Sequence, residues 1–167
     1  GKIYYQKGIS INNNGLNNLI KECYRSESWI GGIFPKGITD KTKLCSGENK
    51  TIFILIDINN INELLQLKEE CRSIYNIDKH SLHMTDYTDD TIRISSSLLN
   101  DNSIHFLNYG TNDISNNTKK LLNKYFTIVD KCEDYCLTSS VIMELYGLRN
   151  ARDIDYLHRD DKYINEG

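Results

Sequence analysis

Hydrophobic positions along the chain switch between a helical and an extended period several times. In "GISINNNGLNNLIKECYRSESWIGG", Leu16, Leu19, Ile20 and Cys23 follow i, i+3, i+4, i+7 spacing, which predicts a helix from about Leu16 to Tyr24. "IFPKGITDKTKLCSGENK" mixes Gly, Pro and alternating charge and reads as loop. "TIFILIDI" is a continuous apolar, β-rich run, the pattern of a strand covered on both faces. "NNINELLQLKEECRSIYN" returns to the helical period through Ile61, Leu64, Leu65, Leu67, Lys68, Cys71 and Ile74, with Asn59 or Asn60 as N-cap. "KHSLHMTD" alternates and reads as a second strand, with Leu82 and Met84 on the side away from His83. "DYTDDTIRISSSLLN" reads as a helix capped by Thr88 or Asp89, "NSIHFLNYG" as a third strand, and "DISNNTKKLLNKYFTIVD" as a further helix.

Strands alternating with helices predict an α/β fold, with a mostly parallel or mixed sheet carrying helices on its faces. Residues 1–130 form this α/β domain, of unknown role, and residues 131–167 a smaller second piece. Ligands of open α/β sheets bind beyond the carboxyl ends of strands. Asp57, Thr85, Asp86, Asn108, Tyr109 and Gly110 fall there, although turn and cap chemistry alone also places Asp, Asn and Thr at such ends.

Composition narrows the function classes. The chain has 167 residues, 39% apolar and 26% charged, which suits a packed core. A net charge of −3 gives no global drive toward nucleic acid or acidic membrane. The local basic patches "TKKLLNKYF" and "KGITDKTK" lack interleaved aromatics. No apolar run approaches the roughly 20 residues of a membrane span. Five scattered cysteines with no CxxC argue against a disulfide framework or a zinc site and for reduced thiols in the cytoplasm. Nineteen Asn and twenty-two Ile beside one Ala and one Pro point to an AT-rich genome, of the kind found in protists and large DNA viruses. "GKIYYQKGIS" has no signal-peptide core and no initiator Met, and reads as part of a longer chain.

Phosphate-cradling glycine loops and a GxSxG elbow do not occur. His83 and His105, placed on adjacent strands, are candidate ligand-site residues together with Asp86; a histidine hydrogen-bonded within the sheet is the plainer reading. The densest chemistry is in "YCLTSSVIMELYGLRNARDIDYLH". "DYCLT" reads as a strand. Ser139 caps a helix with Val141, Ile142, Leu145 and Leu148 on one face, and Gly147 suits its end. "DIDYL" reads as a second strand, from which Asp153 and Asp155 leave on one face, roughly 6–7 Å apart at the backbone. Two such carboxylates repel, and a divalent cation relieves the repulsion; Mg²⁺ takes hard oxygen ligands of this kind. Backbone N–H groups at Ser139 and Ser140 are suited to phosphate oxygens, and Arg149 and Arg152 add positive charge. The plainer alternative is a surface strand whose acids pair with those arginines.

This stretch resembles the nucleotidyltransferase superfamily typified by DNA polymerase β. That family's pattern is a hydrophobic residue, Gly with Gly or Ser, a spacer, then D-hydrophobic-[DE]-hydrophobic. Here Thr138, Ser139 and Ser140 are followed, after twelve residues, by Asp153, Ile154, Asp155 and Tyr156. The resemblance covers residues 134–158, with Ser139 standing where the family has Gly, and it implies that residues 131–167 are the start of a nucleotidyltransferase-like module. It implies that Asp153 and Asp155 bind Mg²⁺ (or Mn²⁺) and are catalytic, and that Ser139 and Ser140 hold nucleotide phosphates. It also implies a third carboxylate on a later strand. The expected function is a nucleotide-dependent transferase, with a link to polysaccharide or glycan synthesis. The alternatives are a glycosyltransferase holding a nucleotide sugar through the same DxD, and a non-catalytic binding or scaffolding domain of a larger protein.

Overall fold

The segment before the first predicted helix, which has no clear apolar alternation, pairs as a strand. The computed structural model describes residues 1–30, 36–45, 50–75, 77–111, 113–129 and 134–159. Strand β1 (Lys2–Ser10) runs antiparallel to β2 (Lys50–Asp57), with Lys2 opposite Asp57, Ser10 opposite Lys50 and a bulge between Ile3 and Tyr5. Helices α1 (Asn13–Cys23), α2 (Lys36–Cys45), α3 (Ile61–Tyr75), α4 (Thr88–Leu98) and α5 (Asp101–Tyr109) accompany this pair, with a 3₁₀ turn at Asp78–His80. Then follow α6 (Asn116–Ile128), β3 (Tyr135–Thr138), α7 (Ser139–Leu145) and β4 (Asp155–His158). The chain falls into two compact units, Gly1–Asn108 and Tyr109–Gly167. The division expected near residue 130 would have placed α6 in the first unit; it belongs to the second.

The mixture of helices and strands is as expected, but the sheet is not a parallel core. Both described sheets have two antiparallel strands. The apolar run of β2 does not signify cover on both faces: Ile52 is 69% exposed and Ile54 is 45% exposed, while Phe53 packs against the core. β-branched residues satisfy a pleated backbone whether or not both faces are covered. "NSIHFLNYG" is α5, not a strand. Its short apolar run fits either period, and Ile104 and Leu107, three apart, reach the core as a helix presents them. "KHSLHMTD" forms no strand: it is the end of the 3₁₀ turn and non-helical chain. Part of the expected loop is α2, where Ile38 and Thr42, four apart, are both buried and Thr42 Oγ1 donates to the Ile38 carbonyl (2.8 Å). Tyr87, rather than Thr88 or Asp89, is the N-cap of α4, and makes no side-chain cap bond.

Among the described residues of the first unit, Ile9, Ile11, Leu19, Ile94 and Leu98 form a buried cluster, flanked by Leu16, Cys23, Phe53, Ile104 and Leu107. Polar clamps close it. Asn12 caps α1 by accepting from the Gly15 N–H (2.8 Å). Asn108, at the end of α5, accepts from the Asn12 N–H (2.9 Å) and donates to the Ser10 carbonyl (3.2 Å). Its own carbonyl accepts from Asn12 Nδ2 (3.3 Å) and Asn14 Nδ2 (3.0 Å). Arg93 of α4 donates to the Glu22 carbonyl (2.6 Å) and carboxylate and to Asp90 (2.6 Å), closing the C-terminal end of α1. Burial pushes the Cys23 thiol up to about 12, leaving it unreactive. Cys45, Cys71 and Cys136 are also free thiols. Among the described residues no helix is long and apolar enough to cross a membrane.

Two sets of contacts among the described residues tie the second unit together. Tyr125 of α6 meets Tyr135 and Tyr156 at ring-centroid distances of 6.2 and 5.6 Å, and Tyr135 meets His158 at 4.4 Å. These rings come from one face of the β3–β4 pair, because Leu137 opposes Tyr156 and Tyr135 opposes His158. The other tie is a buried carboxylate, Glu144, at the centre of the candidate site's support.

Candidate functional site

The β3–β4 register sets the site. Thr138 at the end of β3 lies directly opposite Asp155 at the start of β4. Both occupy the face opposite the aromatic one, together with Cys136 and Leu157. Thr138 is extended (φ −137°) and serves as the N-cap of α7. Ser139 then takes φ 55°, in the left-handed region that glycine enters without penalty and other residues enter at a cost. Ser140 follows, buried, and its Oγ donates to Asp153 Oδ1 (3.3 Å). The serine turn and both acids therefore gather at one end of the hairpin.

Asp153 is not part of a strand; it lies in a bend before β4. Strict strand alternation therefore does not govern the two acids, and strand register and the serine hydroxyl bring them to this end instead. Asp153, Asp155, Arg149 and Arg152 are all exposed. Among the described residues none of the four forms an ion pair, so the structure does not display the acid–arginine pairing of the plainer reading. Gly147 ends α7 with φ 70°, where its N–H donates to the Glu144 carbonyl (2.8 Å).

The buried face of α7 differs from the expected apolar stripe. It consists of Ser140, Val141 and Glu144, while Leu148 is 75% exposed. Glu144 is 3% exposed and accepts from the Ser115 N–H (2.6 Å), the Thr118 hydroxyl (2.7 Å) and the Ala151 N–H. These donors, the Ala151 amide foremost, then the Thr118 hydroxyl and the Ser115 amide, hold its carboxyl down at about 2. Ser115 also caps α6, accepting from the Thr118 N–H (3.2 Å). Sequence reasoning missed Glu144. Its one signal is position, four residues after Ser140 and three after Val141, on the face the helix buries.

The other candidates belong to the N-terminal unit. His83 and His105 are not neighbours on adjacent strands, because neither lies on a strand: His105 is on α5. The His83 ring stands edge-on to Tyr24 at 4.9 Å. Desolvation, then the Lys68 charge, push its pKa down to about 4, although His83 is exposed. Asp86 accepts from Lys68 Nζ (3.2 Å), and Asp57 ends β2 opposite Lys2.

Asp153 and Asp155 offer the hard-oxygen donors that Mg²⁺ or Mn²⁺ takes, and one or two carboxylates are the usual protein share of a Mg²⁺ site completed by water and phosphate. The residues present thus fit the ion. Among the described residues no group of three or more His, Cys, Asp or Glu is assembled to hold a metal by itself. The φ of Ser139 carries a separate expectation. Ser139→Gly removes a conformational penalty at an exposed position and forfeits only a 3.4 Å contact between the Thr138 and Ser139 hydroxyls. The variant is expected to be more stable by about 1 kcal/mol, read as a higher urea midpoint at unchanged slope. Compared with known proteins, the chain matches no family model, no curated protein and no solved structure.

Proposed function

We infer that the C-terminal unit is a nucleotide-dependent transferase module of the nucleotidyltransferase type, assisted by Mg²⁺ or Mn²⁺. The observation that carries this reading is the pairing of Thr138 with Asp155, reinforced by the Ser140–Asp153 hydrogen bond. It places the two halves of the D-x-D and serine pattern, twelve residues apart in sequence, at one end of one hairpin. The φ of Ser139 supports it as well, because this is the position where the resembled pattern has glycine.

In this reading Asp153 and Asp155 hold the cation and are the catalytic carboxylates. The bound cation would stabilise the charge that develops as a phosphoryl or nucleotidyl group is transferred. The Ser139–Ser140 turn orients phosphate oxygens, and Arg149 and Arg152, exposed on the chain leading to the acids, neutralise phosphate charge. The substrate class is a nucleotide or nucleotide sugar, handled in the cytoplasm by a module of a larger protein, with a role in glycan or polysaccharide synthesis. The same carboxylates suit a glycosyltransferase, and a binding module would use them without turnover. Turnover assays with plain triphosphates beside sugar nucleotides separate the three readings.

Calorimetric titration tests the reading itself. The wild-type chain is expected to bind a nucleoside triphosphate in the presence of Mg²⁺, and Asp153→Asn/Asp155→Asn to bind at least tenfold more weakly. Equal binding by both proteins, or none by either, would overturn it.

A further inference from the structure

We propose that Ser140 and Glu144 act as a two-point clamp that positions Asp153 for its cation, an inference that rests on the metal reading above. The two side chains lie one turn apart on α7 and are 4% and 3% exposed. Ser140 Oγ donates to Asp153 Oδ1 (3.3 Å), and the Glu144 carboxylate accepts from the Ala151 N–H. The chain is gripped at residues 151 and 153, on either side of Arg152. The clamp is itself anchored, because the Ser115 N–H and the Thr118 hydroxyl fix the Glu144 carboxylate from α6.

The two acids differ in what places them. Asp155 is fixed by the β3–β4 register. Asp153 lies in a bend, where no ladder fixes the backbone, so its carboxylate depends on these side-chain contacts. A ligand pair must hold its geometry to within about 0.5 Å to bind a cation well. Neither Ser140 nor Glu144 needs to touch the cation; both are positioning residues, and loss of such supports typically weakens metal affinity about 10–100-fold.

Mn²⁺ affinity, measured by electron paramagnetic resonance of the free ion, tests the clamp in the full chain. Ser140→Ala and Glu144→Gln are compared with Tyr125→Leu, and each fold is verified by amide NMR spectra. Tyr125→Leu weakens the packing on Tyr135 and Tyr156, on the other face of the β3–β4 pair, and leaves the contacts of Ser140 and Glu144 in place, so it separates positioning from stability. The expected result is wild-type affinity for Tyr125→Leu and a 10–100-fold loss for the other two, with the Ala151 amide losing exchange protection in Glu144→Gln. Should Glu144→Gln fail to fold, Ser140→Ala, which removes one hydroxyl, carries the comparison with Tyr125→Leu. Wild-type affinity in folded Ser140→Ala and Glu144→Gln would overturn the clamp and leave the metal reading standing. An equal loss in Tyr125→Leu would also overturn it, by showing that affinity merely follows stability. No Mn²⁺ binding by the wild type would remove the metal reading and the clamp with it.

Discussion

Glu144→Ala is expected to cost the C-terminal unit its cooperative fold, lowering its melting midpoint by roughly 10 °C or more. The reason is the number of groups the carboxylate satisfies. Its removal strands the Ser115 and Ala151 amides and the Thr118 hydroxyl, with Thr118 fully buried, and buried donors without partners are expensive. It also removes a negative charge from the N-terminal end of α6, where the helix dipole favours one. The effect has a defined pH window. The folded carboxyl is held at about 2, below its unfolded value of about 4.3, so the unfolded chain binds the proton first as pH falls. The stabilisation is complete above about pH 5 and drains away between there and pH 2. Near-ultraviolet circular dichroism of the acid titration reads this loss, and Glu144→Gln should flatten that part of the curve. A wild-type unit equally stable at pH 5 and pH 2 would contradict this account.

Gly15→Ala is expected to destabilise the N-terminal unit by about 3 kcal/mol, although alanine is the better helix former by about 1 kcal/mol. A Cβ at position 15 would meet Asn108 Oδ1 inside contact distance and lie 2.6 Å from Ile11 Cγ1. Asn108 cannot yield cheaply, because its amide accepts from the Asn12 N–H and donates to the Ser10 carbonyl. Moving it breaks the seam between the end of β1, the start of α1 and the end of α5. In a double-mutant cycle by urea denaturation, Asn108→Ala should absorb about 1 kcal/mol or more of the Gly15→Ala penalty, since the clash partner is gone. Simple additivity of the two changes would sink this account of Gly15.

Both effects turn on residues whose role is set by three-dimensional neighbours, and that explains what the sequence did and did not reveal. The helices around Leu16–Cys23, Ile61–Ile74 and Asn116–Ile128 carry stripes of helical period and stand where the stripes predict. The apolar run at 51–57 is a strand, but its partner is Lys2–Ser10, whose side chains are mostly exposed and so print no alternation. The step from alternating elements to a parallel sheet failed at "NSIHFLNYG" and "KHSLHMTD", where eight or nine residues are too few for period to separate helix, strand and irregular chain. The serine turn and the paired acids were legible as spacing. Their gathering at one end of a hairpin was not, since it depends on the Thr138–Asp155 register and on a bend at Asp153. Glu144 was invisible for a different reason: a glutamate in a helix is usually solvated, and only the three donors around it mark this one as structural.

The central claim is that Asp153 and Asp155 form the divalent-cation site of the C-terminal unit. Paramagnetic broadening of assigned amide resonances by substoichiometric Mn²⁺ tests it most directly. The account predicts broadening confined to residues 138–141 and 152–156, reversed by excess Mg²⁺ and abolished in Asp153→Asn/Asp155→Asn. Broadening centred elsewhere in the chain, or unchanged in the double variant, would contradict it.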